Sequence, residues 1–145
     1  MKEVIGDIWS FFAHGYPIVI TTNGIVNRRH QNIMGAGIAL AAKERFPKLP
    51  ELIGRHIENQ GNTVGYYSQY DIYSFPTKNH WRENSDIMLI ERSAKDLLAL
   101  VDQQGQTKIA MVRPGVNNGR LKWAVVKPVL ESILDDRFTV VTYDN

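Results

Sequence analysis

Short apolar, β-branched runs alternate along this chain with longer stretches in which apolar positions recur every three or four residues. Ile18-Val19-Ile20 is the clearest of the runs, continuous rather than alternating, and predicts a strand buried on both faces of a sheet. Val4-Ile5 and the segments 64–67, 71–75, 108–112 and 138–142 predict further strands, with a polar Ser68-Gln69 turn between the second and third of these. Ile90, Ala94, Leu97, Leu98 and Val101 fall on one face of a helix, with Ser85 as its cap and Asp86 in its first turn. Other helices are predicted over 37–46, stopped by Pro47 and Pro50, over 51–60, ended by Gly61, and around 129–134, with Pro128 in the first turn. Strands interleaved with helices, without linker or low-complexity stretch, predict one three-layer α/β/α domain over residues 1–145.

Composition narrows the chemistry. At 145 residues the chain is long enough to bury roughly 70% of its unfolded surface, so a core forms without staples. Cysteine is absent, which excludes disulfides, thiolate nucleophiles and cysteine-held zinc. His14, His30, His56 and His80 lack metal-ligand spacing, and neither a metal nor a redox cofactor is expected. No apolar run is long enough to cross a membrane and no secretory signal opens the chain, so the expectation is a cytoplasmic protein with no membrane partner. A net charge of +2 does not by itself imply nucleic acid, but it suits a phosphorylated ligand.

Two loops and one reactive segment carry the functional signal. Met34-Gly35-Ala36-Gly37-Ile38-Ala39 opens a helix after a buried strand and a loop spanning 23–35, and its glycines let the backbone and the free N–H groups of the first turn approach an anion. The third glycine of a dinucleotide fingerprint is missing, which argues against redox chemistry and leaves either a phosphate loop or close helix–sheet packing. A second loop, Pro114-Gly115-Val116-Asn117-Asn118-Gly119, also joins a strand to a helix. Two such loops point to a ligand cleft at the carboxyl ends of strands. Phe75-Pro76-Thr77-Lys78-Asn79-His80-Trp81 places an amine, an imidazole and an indole within four positions.

In this order, these residues resemble a macrodomain over essentially the whole chain. Gly6-Asp7-Ile8 is similar to the family's early G-D-I element, whose acidic residue accepts from the adenine amine. Val19-Ile20-Thr21-Thr22-Asn23 resembles the V-N-x-x-N strand end, and the 34–39 and 114–119 loops resemble the two phosphate loops, the second followed by Arg120-Leu121-Lys122-Trp123. F-P-T-K-x-H-W and the later L-x-W place the chain nearest the branch holding the DarG-type DNA ADP-ribosylation antitoxins and the terminal ADP-ribose protein glycohydrolases. The resemblance implies a central mixed sheet, an ADP-ribose ligand, and hydrolysis of ADP-ribosyl adducts with Lys78 as the catalytic amine and His80 beside it. It implies a ligand site of Asp7, Ile8, Asn23, Met34, Gly35, Ala36, Gly37, Ile38, Pro114, Gly115, Val116, Asn117, Asn118, Gly119 and Tyr143. It also implies no cofactor, and a monomer that meets ADP-ribose or an ADP-ribosylated macromolecule such as DNA, within a toxin ADP-ribosyltransferase system.

The chain departs from the pattern in three places. Ile20 replaces the first asparagine of V-N-x-x-N, the 25–33 segment with Arg28-Arg29-His30 is longer than in the antitoxins, and Gly119 stands where the protein glycohydrolases carry an assisting aspartate. The last favours a DNA adduct over a protein adduct. Arg28-Arg29-His30 reads as a solvated loop or as a contact with a phosphate backbone. Asp7 reads as an adenine acceptor or as the cap of a short segment beginning at Ile8, and Lys78 as the reactive amine, a phosphate contact or a solvent-facing lysine. His80 reads as a positioning residue before a general acid, Trp81 as packing before stacking, Tyr143 equally as a cover for the ligand or a strand-end residue, and Trp9 and Trp123 as core. Phosphatase action on ADP-ribose 1''-phosphate, and non-catalytic reading of ADP-ribosylated partners, are the alternatives the same pocket allows.

Overall fold

A computed structural model describes residues 1–143. Six strands, β1 (Lys2–Ile5), β2 (Ile18–Thr22), β3 (Gly65–Tyr67), β4 (Ile72–Pro76), β5 (Ile109–Val112) and β6 (Phe138–Thr142), form one sheet in the order β1-β6-β5-β2-β4-β3. All pairings are parallel except β3 with β4, so the sheet is mixed, as the family resemblance implies. Five helices complete the fold: α1 (Ile8–Ala13), α2 (Gly37–Arg45), α3 (Leu49–Gln60), α4 (Ile87–Gln104) and α5 (Trp123–Glu131).

The strand pleat divides the core into two layers. Val19, Tyr73, Phe75, Met111 and Val140 point to the face covered by α4 and α5, where Ile90, Leu97, Val126 and Leu130 are buried with them. Ile18, Ile20, Ile72, Ala110 and Val141 point to the other face, with Ile8, Ala42, Leu49 and Ile53 from α1 to α3. The uninterrupted run at Ile18-Val19-Ile20 is thus explained: all three side chains are fully buried, on alternate faces. Each such side chain contributes roughly 1.5–3 kcal/mol of burial.

Four local expectations are corrected. Asp86, not Ser85, caps α4, its carboxylate accepting from Met88 N at 2.9 Å, because Ser85 is one residue outside the helix and drawn into the wall below the sheet edge. Pro50 does not end a helix but sits in the first turn of α3, where its missing N–H costs nothing. Pro128 lies inside α5, since that helix begins at Trp123. The proline is exposed, as is Ala124, and it has no N–H to donate to the carbonyl of Ala124 four residues back. Trp9 and Trp123 are half-buried rather than core: the Arg45 guanidinium lies 4.0 Å over Trp9, Arg113 lies 4.8 Å over Trp123, and Trp123 Nε1 donates to Glu3.

Candidate functional site

Five parallel strands end at one edge of the sheet, and the segments that leave them enclose a cavity of about 640 Å³. That volume is in the range of small-molecule sites. Gly6 and Ile8 follow β1, Thr21 to Asn23 end β2, Thr77, Lys78, Trp81 and Ser85 follow β4, Arg113 and the 115–119 loop follow β5, and Tyr143 follows β6. Strand order therefore sets the cavity's long axis, from Gly6 and Tyr143 at the β1–β6 end, past the loops of β5 and β2, to Lys78 at the β4 end.

The two glycine loops meet in the middle of that axis. The α2 helix starts at Gly37 (φ +56°) with Ala36 as its cap residue, and no side chain caps its first N–H groups. Gly35, Ala36 and Gly37 are exposed and line the cavity. Opposite them a 3-10 turn over Asn117–Gly119 is set between two left-handed residues, Asn117 and Arg120. The loops nearly touch: a Cβ at Gly37 would stand 3.2 Å from Asn118 Nδ2. Uncapped amides at a helix start and a facing turn form a cradle for a diphosphate.

Gly119 is held by a different constraint. A Cβ there would overlap Ser85 Oγ, and Ser85 N donates to Gly119 O at 2.9 Å. The position that carries an aspartate in the protein glycohydrolase pattern has no room for any side chain while Ser85 keeps its place.

Lys78 leaves the end of β4 half-buried on the cavity wall, its Nζ 3.5 Å from Asn118 O. Burial pulls its pKa below the ordinary lysine value, the neighbouring Arg120 charge lowers it further, and Glu83 opposes both. The backbone around it is tied down from three sides. Thr77 N donates to Thr22 O at 3.0 Å, Gly24 N to Asn79 O at 3.0 Å, and Asn62 Nδ2 to both Lys78 O and Asn79 Oδ1. Asn62 in turn receives Arg92 through its own carbonyl at 2.8 Å. Asn62 and Arg92 are functional supports that sequence reasoning missed; they lie far from Lys78 in the chain and carry no motif.

The remaining sequence expectations divide. Ile8, Asn23, Gly35, Ala36, Gly37, Ile38, Gly115, Val116, Asn117, Asn118, Gly119 and Tyr143 line the cavity. Asn23 is buried, and its side chain is already engaged: Nδ2 donates to Ile33 O, while Oδ1 accepts from Ile25 N and Asn32 Nδ2. One amide hydrogen remains to offer a ligand. Met34 and Pro114 are corrected: both are buried and neither lines the cavity, Met34 because it packs into the core beneath the exposed Gly35-Ala36-Gly37 and Pro114 because it lies on the buried side of its loop. Asp7 caps α1, its carboxylate accepting from Trp9 N at 3.0 Å, and only its neighbours Gly6 and Ile8 reach the cavity wall. His80 also stays off the wall, its Nδ1 accepting from Arg82 N at 3.1 Å. Arg28 and Arg29 are exposed away from the cavity, and His30 is paired with Glu58 at 2.8 Å. Among the described residues no cluster of acidic or histidine side chains is placed to hold a metal ion, and no helix is long and apolar enough to cross a membrane.

Comparison with known proteins adds the family. No family model matches the chain. The macrodomain of Mycobacterium tuberculosis DarG superposes with a TM-score of 0.78 at 28% identity, over 99% of this chain and 97% of that one. The chain is a DarG-type macrodomain. Its sequence is also similar to the DNA ADP-ribosyl glycohydrolases of Thermus aquaticus, 29% identical over 134 residues, and of Mycobacterium tuberculosis, 31% identical over 109 residues. These alignments cover 86% and 69% of this macrodomain but 37% and 31% of those proteins, so the chain spans about a third of the length of these DNA ADP-ribosyl glycohydrolases.

Proposed function

We propose that this macrodomain binds ADP-ribose along the sheet edge and hydrolyses the bond joining it to a base of DNA. The observation that carries the reading is Lys78, a partly buried amine of lowered pKa, in the wall of the same cavity as the uncapped α2 terminus and its facing turn. The similarity to DNA ADP-ribosyl glycohydrolases supports the DNA adduct, as does Gly119, whose packing against Ser85 excludes the aspartate of the protein glycohydrolase pattern.

In this reading the adenosine lies at the β1–β6 end beside Gly6, Ile8 and Tyr143, the diphosphate between the two glycine loops, and the distal ribose beside Asn23 and Lys78. The neutral Lys78 amine gives its electron pair to the anomeric carbon as the bond to the base breaks, and the base leaves with a proton. The ribosyl amine so formed opens its ring, the anomeric C–O bond breaking as the ring oxygen takes a proton, to give an imine. Water adds to the imine and releases ADP-ribose and the free amine, so the sum is adduct plus water to base plus ADP-ribose. No metal or cofactor enters. The fixed amides of the loops hold the diphosphate, so binding energy aligns the ribose with the amine. The protein acts as a cytoplasmic monomer that reverses the work of an ADP-ribosyltransferase toxin.

Side-by-side incubation with ADP-ribosylated DNA, ADP-ribosylated protein and ADP-ribose 1''-phosphate tests the assignment. Fastest release from DNA is expected. Preferential phosphate release would make it a phosphatase, and tight ADP-ribose binding with no turnover would make it a reader.

Asp7 supplies a second prediction. Asp7 does not itself line the cavity but sits between Gly6 and Ile8, which do; one oxygen of its carboxylate is on Trp9 N, and the other is the acceptor proposed for an adenine amine at that end. Asp7→Ala is expected to weaken ADP-ribose binding by about 1–3 kcal/mol and to destabilise the fold by about 1 kcal/mol through the lost cap. Calorimetry with the ligand whose amine is replaced by a carbonyl oxygen isolates the first effect. Equal weakening of both ligands would show that the carboxylate only caps the helix.

A further inference from the structure

Trp81 is a large aromatic side chain left 46% exposed at the Lys78 end of the cavity, three residues beyond the amine and lining the same wall. The other two tryptophans are half-buried and occupied with partners inside the fold, Trp9 among Phe12 and Phe46 and Trp123 on Glu3. Trp81 is also held in place. Glu83 N donates to His80 O at 3.0 Å and Arg82 N to His80 Nδ1 at 3.1 Å, closing a turn that sets the His80 ring 5.2 Å from the indole and the Arg82 guanidinium 4.7 Å from it.

A second element brings charge to the same end. Arg120 leaves the 3-10 turn in the left-handed conformation, exposed and near enough to Lys78 to act on its charge. Neither Arg82 nor Arg120 has an acidic partner at salt-bridge distance among the described residues. The Lys78 end of the cavity therefore carries an exposed indole on its wall, with Arg82 against that indole and Arg120 near Lys78, two cations from separate loops that are not themselves part of the lining. A flat aromatic leaving group attached to a polyanionic strand matches that combination; a carboxylate side chain of a protein has no ring to place there.

We infer that Trp81, with Arg82 and Arg120, forms a shelf on which the DNA base carrying the ADP-ribose stacks while its flanking phosphates meet the two arginines. The inference rests on the proposed hydrolysis and names the residues that recognise its leaving group. A base must leave its own stack to lie on an indole, so the shelf favours single-stranded DNA or an extruded nucleotide. Arg82, already stacked with the indole, reinforces the platform as well as meeting phosphate.

The test uses Trp81→Ala and Trp81→Phe with three probes: an oligonucleotide bearing ADP-ribose on a base, a peptide bearing it on a carboxylate side chain, and free ADP-ribose. Trp81→Ala is expected to raise KM for the oligonucleotide about tenfold, while the affinity for free ADP-ribose and the KM for the peptide change by much less. Trp81→Phe restores most of the loss. A fall in free ADP-ribose affinity matching the loss on the oligonucleotide would show that Trp81 merely supports the ribose pocket, and an unchanged KM would show that no base stacks there; either result overturns the inference. Failure of the native protein to cleave the oligonucleotide would instead remove the hydrolase reading, and the shelf with it.

Discussion

Lys78→Ala is expected to slow release of ADP-ribose from DNA by at least about a thousandfold while leaving the affinity for free ADP-ribose within about threefold of native, because a nucleophile acts on the transition state and the ligand is held elsewhere. The α2 amides and the 115–119 turn do not depend on the amine, whose one hydrogen-bond partner among the described residues is Asn118 O at 3.5 Å, a weak contact. Single-turnover rates and calorimetry on the same variant separate the two quantities. The native rate carries a further signature. Burial and Arg120 lower the Lys78 pKa, so the neutral amine persists to lower pH than an ordinary lysine allows, and the acid limb of the rate profile moves down accordingly. Equal loss of rate and affinity in the variant would make Lys78 a phosphate or ribose contact. Full retention of rate would remove it from the chemistry.

Gly54→Ala carries the largest expected change in stability, with a sign opposite to that of helix propensity. Gly54 lies inside α3, where alanine is intrinsically better by about 1 kcal/mol. In the fold, however, a Cβ at this position would overlap the backbone carbonyl of His30, with His30 C at 2.6 Å and Asn32 N at 3.1 Å. Backbone on both sides leaves no flexible side chain to yield. The expected result is a net loss of about 3 kcal/mol and a fall in Tm of about 10 °C. The site is expected to suffer with the fold, because Asn32 Nδ2 donates to Asn23 O and Oδ1 and to Ile25 O, holding the residue that faces the distal ribose. A raised Tm in thermal denaturation would mean that the helix and the 30–32 segment can move apart at little cost.

Gly54 also shows where the sequence stops being legible. The strand runs, the α4 stripe and the glycine-opened start of α2 are local patterns, and each appears in the structure close to its predicted position. The two phosphate-type loops could be read for the same reason, since a glycine start or an Asn-Asn-Gly turn between a strand and a helix is a short-range signal. Decisions that depend on a distant partner were not readable. Ser85 and Asp86 are both good caps, and only the hydrogen bond from Ser85 N to Gly119 O, together with that from Asp86 N to Thr77 O, fixes which one caps α4. Met34 and Pro114 have the spacing of ligand contacts but turn inward, and the Asn62 brace on the Lys78 loop spans 16 residues of sequence. The resemblance named the amine; the fold shows what holds it still.

The most direct measurement of the central claim is mass analysis of both products after the native protein has acted on an oligonucleotide bearing a single ADP-ribosylated base. Attack at the anomeric carbon returns the oligonucleotide at its unmodified mass together with intact ADP-ribose. Recovery of AMP with a phosphoribosyl group still on the oligonucleotide, or an adduct untouched under conditions where ADP-ribose binds, would contradict it.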